Sequence, residues 1–284
     1  MKKKVIYILG TGRSGTTVID IVLGKNDDIF SCGELVRFSE LKAEPHGFPK
    51  DSLNYLFWKK IDKKLFARLS STHEALFRLS RKIEFHPSFF FNLFHLIPRK
   101  DKKRYQEYVN TFFDILFQSI HQNVVVDSSK YAGRALGLLR CLKYDLFIIY
   151  VVRDPVRVVR SFAKKNVEQL PKKYLMANIY YFLINFLCRI VIFMAGKSHV
   201  YTLKYENFLA DPASELENIQ NASGIDLQKS IQTARKEGEF EVGFLFEGNR
   251  IRLQKKIQLQ KERSKKKMDF KSYATRLLNI IWWH

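Results

Sequence analysis

The chain has 284 residues and carries 49 Lys and Arg against 28 Asp and Glu, a formal net charge of +21. With 46% hydrophobic residues it can bury a sizeable core, which excludes a disordered chain. The three cysteines (Cys32, Cys141, Cys188) are too scattered for a disulfide framework or a metal-ligand spacing, and the basic excess asks for an anionic partner without naming it.

In chain order, Val5–Leu9 reads as a short strand buried on both faces. Its five-residue apolar run meets glycines too soon for a secretory leader. A glycine-rich turn follows, then a helix from about 16 to 23, stopped by Gly24-Lys25-Asn26-Asp27-Asp28. Ile29–Cys32 is a weak second strand ending at Gly33-Glu34. Residues 35–122 show no clear strand and carry 13 basic residues between Lys59 and Arg104, so they read as a helical insertion over the sheet. Strands are expected over 123–127, 145–152 and 199–204, with helices over about 133–142, 155–169, 175–195 and 212–223. The apolar stretch 174–196 is long enough to cross a bilayer, but Arg189 sits inside it and a buried core helix is the preferred reading. Strands alternating with helices imply a parallel, doubly wound sheet in one domain over 1–284, closed by a basic tail from 248.

The turn after the first strand reads Gly10-Thr11-Gly12-Arg13-Ser14-Gly15-Thr16-Thr17. Its outer glycines have the spacing of a P-loop, and backbone N–H groups ahead of a helix N-terminus make a cradle for an anion. The expected fold is therefore α/β and P-loop NTPase-like, with a central parallel sheet between two helical layers. A nucleotide triphosphatase needs Lys where Thr16 stands, to hold the terminal phosphates beside Mg²⁺. Here Arg13 supplies the cation from inside the loop.

Arg13-Ser14-Gly15-Thr16-Thr17 resembles the 5′-phosphosulfate loop of the sulfotransferases that use 3′-phosphoadenosine 5′-phosphosulfate (PAPS). A second motif of that family, an Arg at a strand end and a Ser eight residues on, is matched by Arg153 and Ser161. The resemblance implies Gly12, Arg13, Ser14, Gly15, Thr16 and Thr17 around the 5′ end of PAPS, with Arg153 and Ser161 on its 3′-phosphate. Chemistry supports the pair independently. Asp154 suits a helix N-cap and Pro155 its first position, which leaves the Arg153 fork at the strand tip for a phosphate. Leu203–Phe208 is similar to a further family segment, which implies Tyr205 near the adenine or 3′-phosphate. Gly248-Asn249-Arg250-Ile251-Arg252 is similar to a Gly-Asn-Pro-x-Arg element, with Arg250 at the Pro position; Asn249 and Arg250 are the cofactor candidates there.

The 10–17 loop, Glu34, the 127–130 segment, Arg153 and Tyr205 fall at the carboxyl ends of expected strands, where open α/β sheets bind ligands. The family chemistry implies Arg13 as the cation on the bridging oxygen, Glu34 as the base for the acceptor hydroxyl, and Lys130 as added positive charge. Other branches use a histidine, which keeps His46, His73, His86, His95 and His121 in view. Asp127 after Val124-Val125-Val126 leaves a Mg-dependent kinase or NTPase open, and the basic runs leave a non-enzymatic binder of anionic polymers open. No recognised nucleic-acid module is present. The expectation is a cytoplasmic sulfotransferase that uses PAPS without an obligatory metal on an unidentified acceptor. Peripheral membrane contact through basic and aromatic segments is compatible with it.

Overall fold

The computed structural model describes residues 2–164, 171–259 and 269–283. In chain order the strand β1 (Lys4–Gly10) leads to α1 (Thr16–Leu23) and β2 (Ile29–Ser31). Four helices follow: α2 (Leu53–Arg68), α3 (His73–Ile83), α4 (Phe89–Leu93) and α5 (Arg99–Ser119). Then come β3 (Val124–Lys130), α6 (Ala132–Cys141), β4 (Asp145–Val152), α7 (Pro155–Ala163) and α8 (Tyr174–Ala195). The last part holds β5 (Val200–Lys204), α9 (Tyr205–Ala210), α10 (Pro212–Ser223), α11 (Gln228–Arg235), a hairpin of β6 (Glu239–Glu241) with β7 (Lys256–Gln258), and α12 (Phe270–Trp283).

Five strands pair in the order β2-β3-β1-β4-β5, all parallel. Side chains alternate along β1: Val5, Tyr7 and Leu9 enter one core cluster, Ile6 and Ile8 the other, and all five are fully buried. The first cluster is filled by α2, α3, α5, α6 and α8; the second by α1, α10, α11 and the hairpin. The helical segment after β2 is part of this packing: Trp58 of α2 is fully buried and its Nε1 donates to the Phe244 carbonyl at 2.8 Å. The chain leaves β1 first towards β2 and β3 and later towards β4 and β5. The carboxyl end of β1 is therefore the switch point, where the crevice of an open sheet forms.

The structure departs from the sequence expectations in three places. The strand expected over 123–127 continues to Lys130, because Asp127, Ser128 and Ser129 find buried partners instead of ending the ladder. The apolar helix α8 is not wholly buried. Tyr181, Ile184 and Cys188 face the core, whereas Leu175, Leu183 and Phe193 face outward. The region after 248 returns to the sheet edge as a short 3₁₀ turn and β7, and ends in α12. Residues 165–169 of the expected helix 155–169, and Lys261 to Lys267 of the basic tail, lie outside the described residues.

Candidate functional site

The loop between β1 and α1 is held in a conformation that few residues adopt. Arg13 has φ 69° and Gly15 φ 93°, both left-handed. A Cβ on Gly15 would stand 2.1 Å from Cε2 of Tyr205, so this position has no room for any side chain. The Val18 and Ile19 amides bond back to the Gly15 carbonyl, at 2.9 and 3.2 Å, and start α1. Gly12, Arg13, Gly15, Thr16 and Thr17 line the crevice at this helix start, the place where a helix N-terminus takes an anion. Ser14 is fully buried and its Oγ donates to the Thr11 carbonyl at 2.5 Å, so this hydroxyl braces the loop and does not line the cleft. Gly15→Ala is expected to cost about 1–3 kcal/mol from left-handed strain alone, plus displacement of Tyr205. A thermal melt that matches the unmodified protein would refute this.

From β4, Arg153 reaches the same loop across 140 residues of sequence. Its Nη1 donates to the Arg13 carbonyl at 2.9 Å, and its guanidinium lies 4.8 Å from the Tyr205 ring centre. Its Nε is buried without a hydrogen-bond partner. The Asp154 side chain accepts from the Val156 amide at 2.7 Å with Pro155 behind it, the helix start expected from sequence. The other Asp154 oxygen takes Arg276 of α12 at 2.9 Å.

The third element is the tip of β2. Gly33 has φ 74°, and a Cβ there would stand 2.3 Å from the Glu247 carbonyl. This turn carries Glu34 over the crevice, fixed by the Glu34 amide donating to the Glu247 carbonyl at 2.9 Å. Lys130, at the end of β3 and also left-handed at φ 70°, pairs with the Glu34 carboxylate. Both side chains are largely covered, at 13% and 18% exposure. Left-handed non-glycine residues are uncommon, and Arg13 and Lys130 bring two of them to one site.

These elements enclose a cleft of about 480 Å³, the size of a small-molecule site. Gly12, Arg13, Gly15, Thr16 and Thr17 line it from the loop. Glu34 and Lys130 line it from the β2 and β3 tips, and Arg153, Ser161 and Tyr205 from the far side. Asn249 lines it too; its amide donates to Thr17 Oγ1 at 3.3 Å, and its side chain caps the following 3₁₀ turn. Arg250 is not among the lining residues, because the turn that Asn249 caps presents Ile251 and Arg252 instead. Sequence reasoning missed Arg37 and Glu247, which also line the cleft. Glu247 is 4% exposed and accepts from the His46 amide at 2.8 Å and from Arg252 Nη2 at 3.0 Å. Arg252 Nε and Nη1 are buried and unpartnered. Of the five candidate histidines only His46 reaches the cleft. His86 is stacked on Tyr131, and burial pushes its pKa down to about 4; His73 pairs with Asp62.

Two buried carboxylates lie behind the cleft. Asp127 is fully buried, and its oxygens accept from Arg134 Nε at 2.7 Å and from Ser129. Arg134 also pairs with Glu84, which takes the Tyr105 hydroxyl at 2.8 Å. Asp127 is thus sealed in an ion-pair network and does not line the cleft, which removes it as the metal-binding residue of a kinase. The hydroxyls of Ser128 and Ser129 are likewise spent on Asp20 and Asp127 and do not face a transferred group. Asp20 of α1 accepts from the Gly33 amide at 2.9 Å and from Ser128 Oγ at 2.6 Å. Burial raises its pKa to about 7 against these bonds. Between the unfolded pKa near 4 and the folded one near 7, the folded state keeps a proton that the unfolded state has lost. Stability from this group therefore falls as pH rises through that window, by at most about 1.4 kcal/mol per pH unit. Asp20→Asn is expected to gain on the unmodified protein as melts are taken from pH 4 to pH 7. A constant difference across those melts would contradict it.

Residues 5–229 match the family model described as "Sulfotransferase family". No curated protein matches the chain. Among solved structures, sulfotransferase STF9 from Mycobacterium avium is similar at 15% identity and a TM-score of 0.51, over 83% of this chain and 67% of that one. The sulfotransferase domain of the olefin synthase of Synechococcus PCC 7002 is 20% identical, with a TM-score of 0.49, over 82% of this chain and 77% of that one. At such identity the STF9 likeness speaks for the α/β fold.

Proposed function

The chain belongs to the sulfotransferase family, and on that premise we propose that its edge cleft moves a sulfuryl group from PAPS to a hydroxyl of an acceptor. The observation that carries the reading is the meeting of the loop and Arg153. Two cationic elements 140 residues apart are joined by a hydrogen bond, and the buried Arg153 Nε has no protein partner. A donor with phosphate groups at both ends of its ribose needs such a pair of anion sites.

PAPS supplies the activated sulfuryl group; the chain's residues bind it and handle charge and proton. The loop from Gly12 to Thr17, with the hydroxyls of Thr16 and Thr17, holds the 5′ end. Arg13 places positive charge where the leaving phosphate gains negative charge, a kind of preorganised donor typically worth about 10²–10³ in rate. Arg153 and Ser161 hold the 3′-phosphate, with Tyr205 beneath the guanidinium. Glu34 takes the proton of the acceptor hydroxyl. Lys130 keeps that carboxylate oriented and adds charge near the group in transit. No step asks for a metal.

The reading is tested by incubating the chain with ³⁵S-labelled PAPS and cell extract in the presence of a chelator. Label in a discrete product, lost in Arg13→Ala, is the expected result. Product formation only with added Mg²⁺ and ATP would overturn it in favour of phosphoryl transfer.

A further inference from the structure

α12 is built inside out. Its Ser272, Thr275 and Asn279 are buried, while Phe270 and Leu277 are 86% and 74% exposed and Ile281 is 59% exposed. The polar stripe bonds to its neighbours. Thr275 Oγ1 lies 2.9 Å from the Tyr174 hydroxyl, Asn279 Nδ2 donates to Asn178 Oδ1 at 3.2 Å, and Arg160 donates to Ser272 Oγ at 2.8 Å. Trp282 packs between Phe182 and Phe186, with ring centres 5.1 and 6.3 Å away. α12 is therefore docked on α8 in one orientation, and that orientation turns its apolar side outward.

α8 does the same on its outer side, where Leu175, Leu183 and Phe193 are exposed. A groove of about 500 Å³ runs beside α12 from Pro155 past Phe270, Tyr273 and Leu277 to Ile280. Water contact on this scale is costly for a protein surface, so the two helices present a face that wants a cover.

Charge identifies the cover. Neither Tyr174–Ala195 nor Phe270–Trp283 contains an acidic residue. Lys172 and Lys173 precede α8, and Lys271 lies in the first turn of α12, where its Nζ sits 5.8 Å from the Tyr174 ring centre. A second copy of this chain, also at +21, would bring the same lysines against each other. An anionic lipid surface takes both features at once: apolar side chains enter the acyl boundary and lysines meet headgroups. We propose that the outward faces of α8 and α12 attach the protein to the surface of an anionic bilayer. α8 is long and apolar enough to span a membrane, but its inward face is packed into the core, so it lies along the surface. The attachment site is not built from the basic residues between Lys59 and Arg104, and it is independent of the sulfotransferase reading.

The test is flotation of the full chain with vesicles of phosphatidylcholine containing phosphatidylglycerol, and with phosphatidylcholine alone. Binding to the mixed vesicles, weaker to neutral ones, is expected. The double variant Leu277→Glu/Ile281→Glu is expected to lose on the order of tenfold or more in partitioning, with an unchanged melting temperature because both positions are exposed. Leu277→Ser serves as the milder control and should lie between. Equal binding by all three proteins, or none by the unmodified chain, would overturn the proposal. So would a dimer in sedimentation velocity without lipid that Leu277→Glu dissolves, since a second copy would then cover the face.

Discussion

Glu34→Gln is expected to lower kcat by about 10²–10⁴-fold while leaving the affinity for 3′-phosphoadenosine 5′-phosphate unchanged. Glutamine keeps the shape and one hydrogen bond to Lys130 but cannot take a proton. The position is suited to a base for a structural reason. The left-handed Gly33 turns the chain at the β2 tip, the Glu247 carbonyl anchors the Glu34 amide, and Lys130 holds the carboxylate over the cleft. If Glu34 served only to pair with Lys130, its loss would appear in the melting temperature and not in turnover. Single-turnover rates and thermal melts of the variant separate the two outcomes.

The second large effect belongs to Arg153. Arg153→Ala is expected to weaken binding of 3′-phosphoadenosine 5′-phosphate on the order of 10²-fold or more. Hydrogen bonds to charged groups contribute about 1.5–3 kcal/mol each, and a forked guanidinium makes two. Arg153→Lys should recover only part of the loss, because an ammonium cannot reproduce the fork or lie flat on the Tyr205 ring. Calorimetric titration of both variants checks this. The alanine variant binding as well as the unmodified chain would show that the 3′-phosphate sits elsewhere.

Much of the site was legible because its signals are local. β1 is a continuous apolar run ending in glycines, and β4 ends in a charged residue followed by a capping Asp and a Pro, so each announces a strand tip and a helix start. What was misread depends on partners far away in sequence. Asp127, Ser128 and Ser129 look like a polar strand end, yet Arg134 and Asp20 satisfy them and the ladder continues. Glu247 carries no motif of its own, and Arg252 only the last position of the element 248–252. They reach the cleft because the chain returns across the β2 tip, where the Phe246 amide donates to the Cys32 carbonyl at 2.7 Å. No helix was expected in the basic tail after 248, and composition does not tell which side of α12 faces water. Only the hydrogen bonds of its polar stripe to α8 do so.

The net charge of +21 divides accordingly. Arg13, Lys130 and Arg153 line one cleft with Arg37 and Arg252, whereas Lys172, Lys173 and Lys271 flank an apolar face. On the two proposals they meet different anions, a small polyanionic nucleotide in the first case and a lipid surface in the second.

The most direct measurement is calorimetric titration of the full chain with 3′-phosphoadenosine 5′-phosphate and, separately, with adenosine 5′-phosphate. The account predicts tight binding of the first and binding of the second weaker on the order of 10²-fold or more, the share of the charged contacts to the 3′-phosphate. Equal affinity for the two nucleotides, or no heat with either, would contradict it.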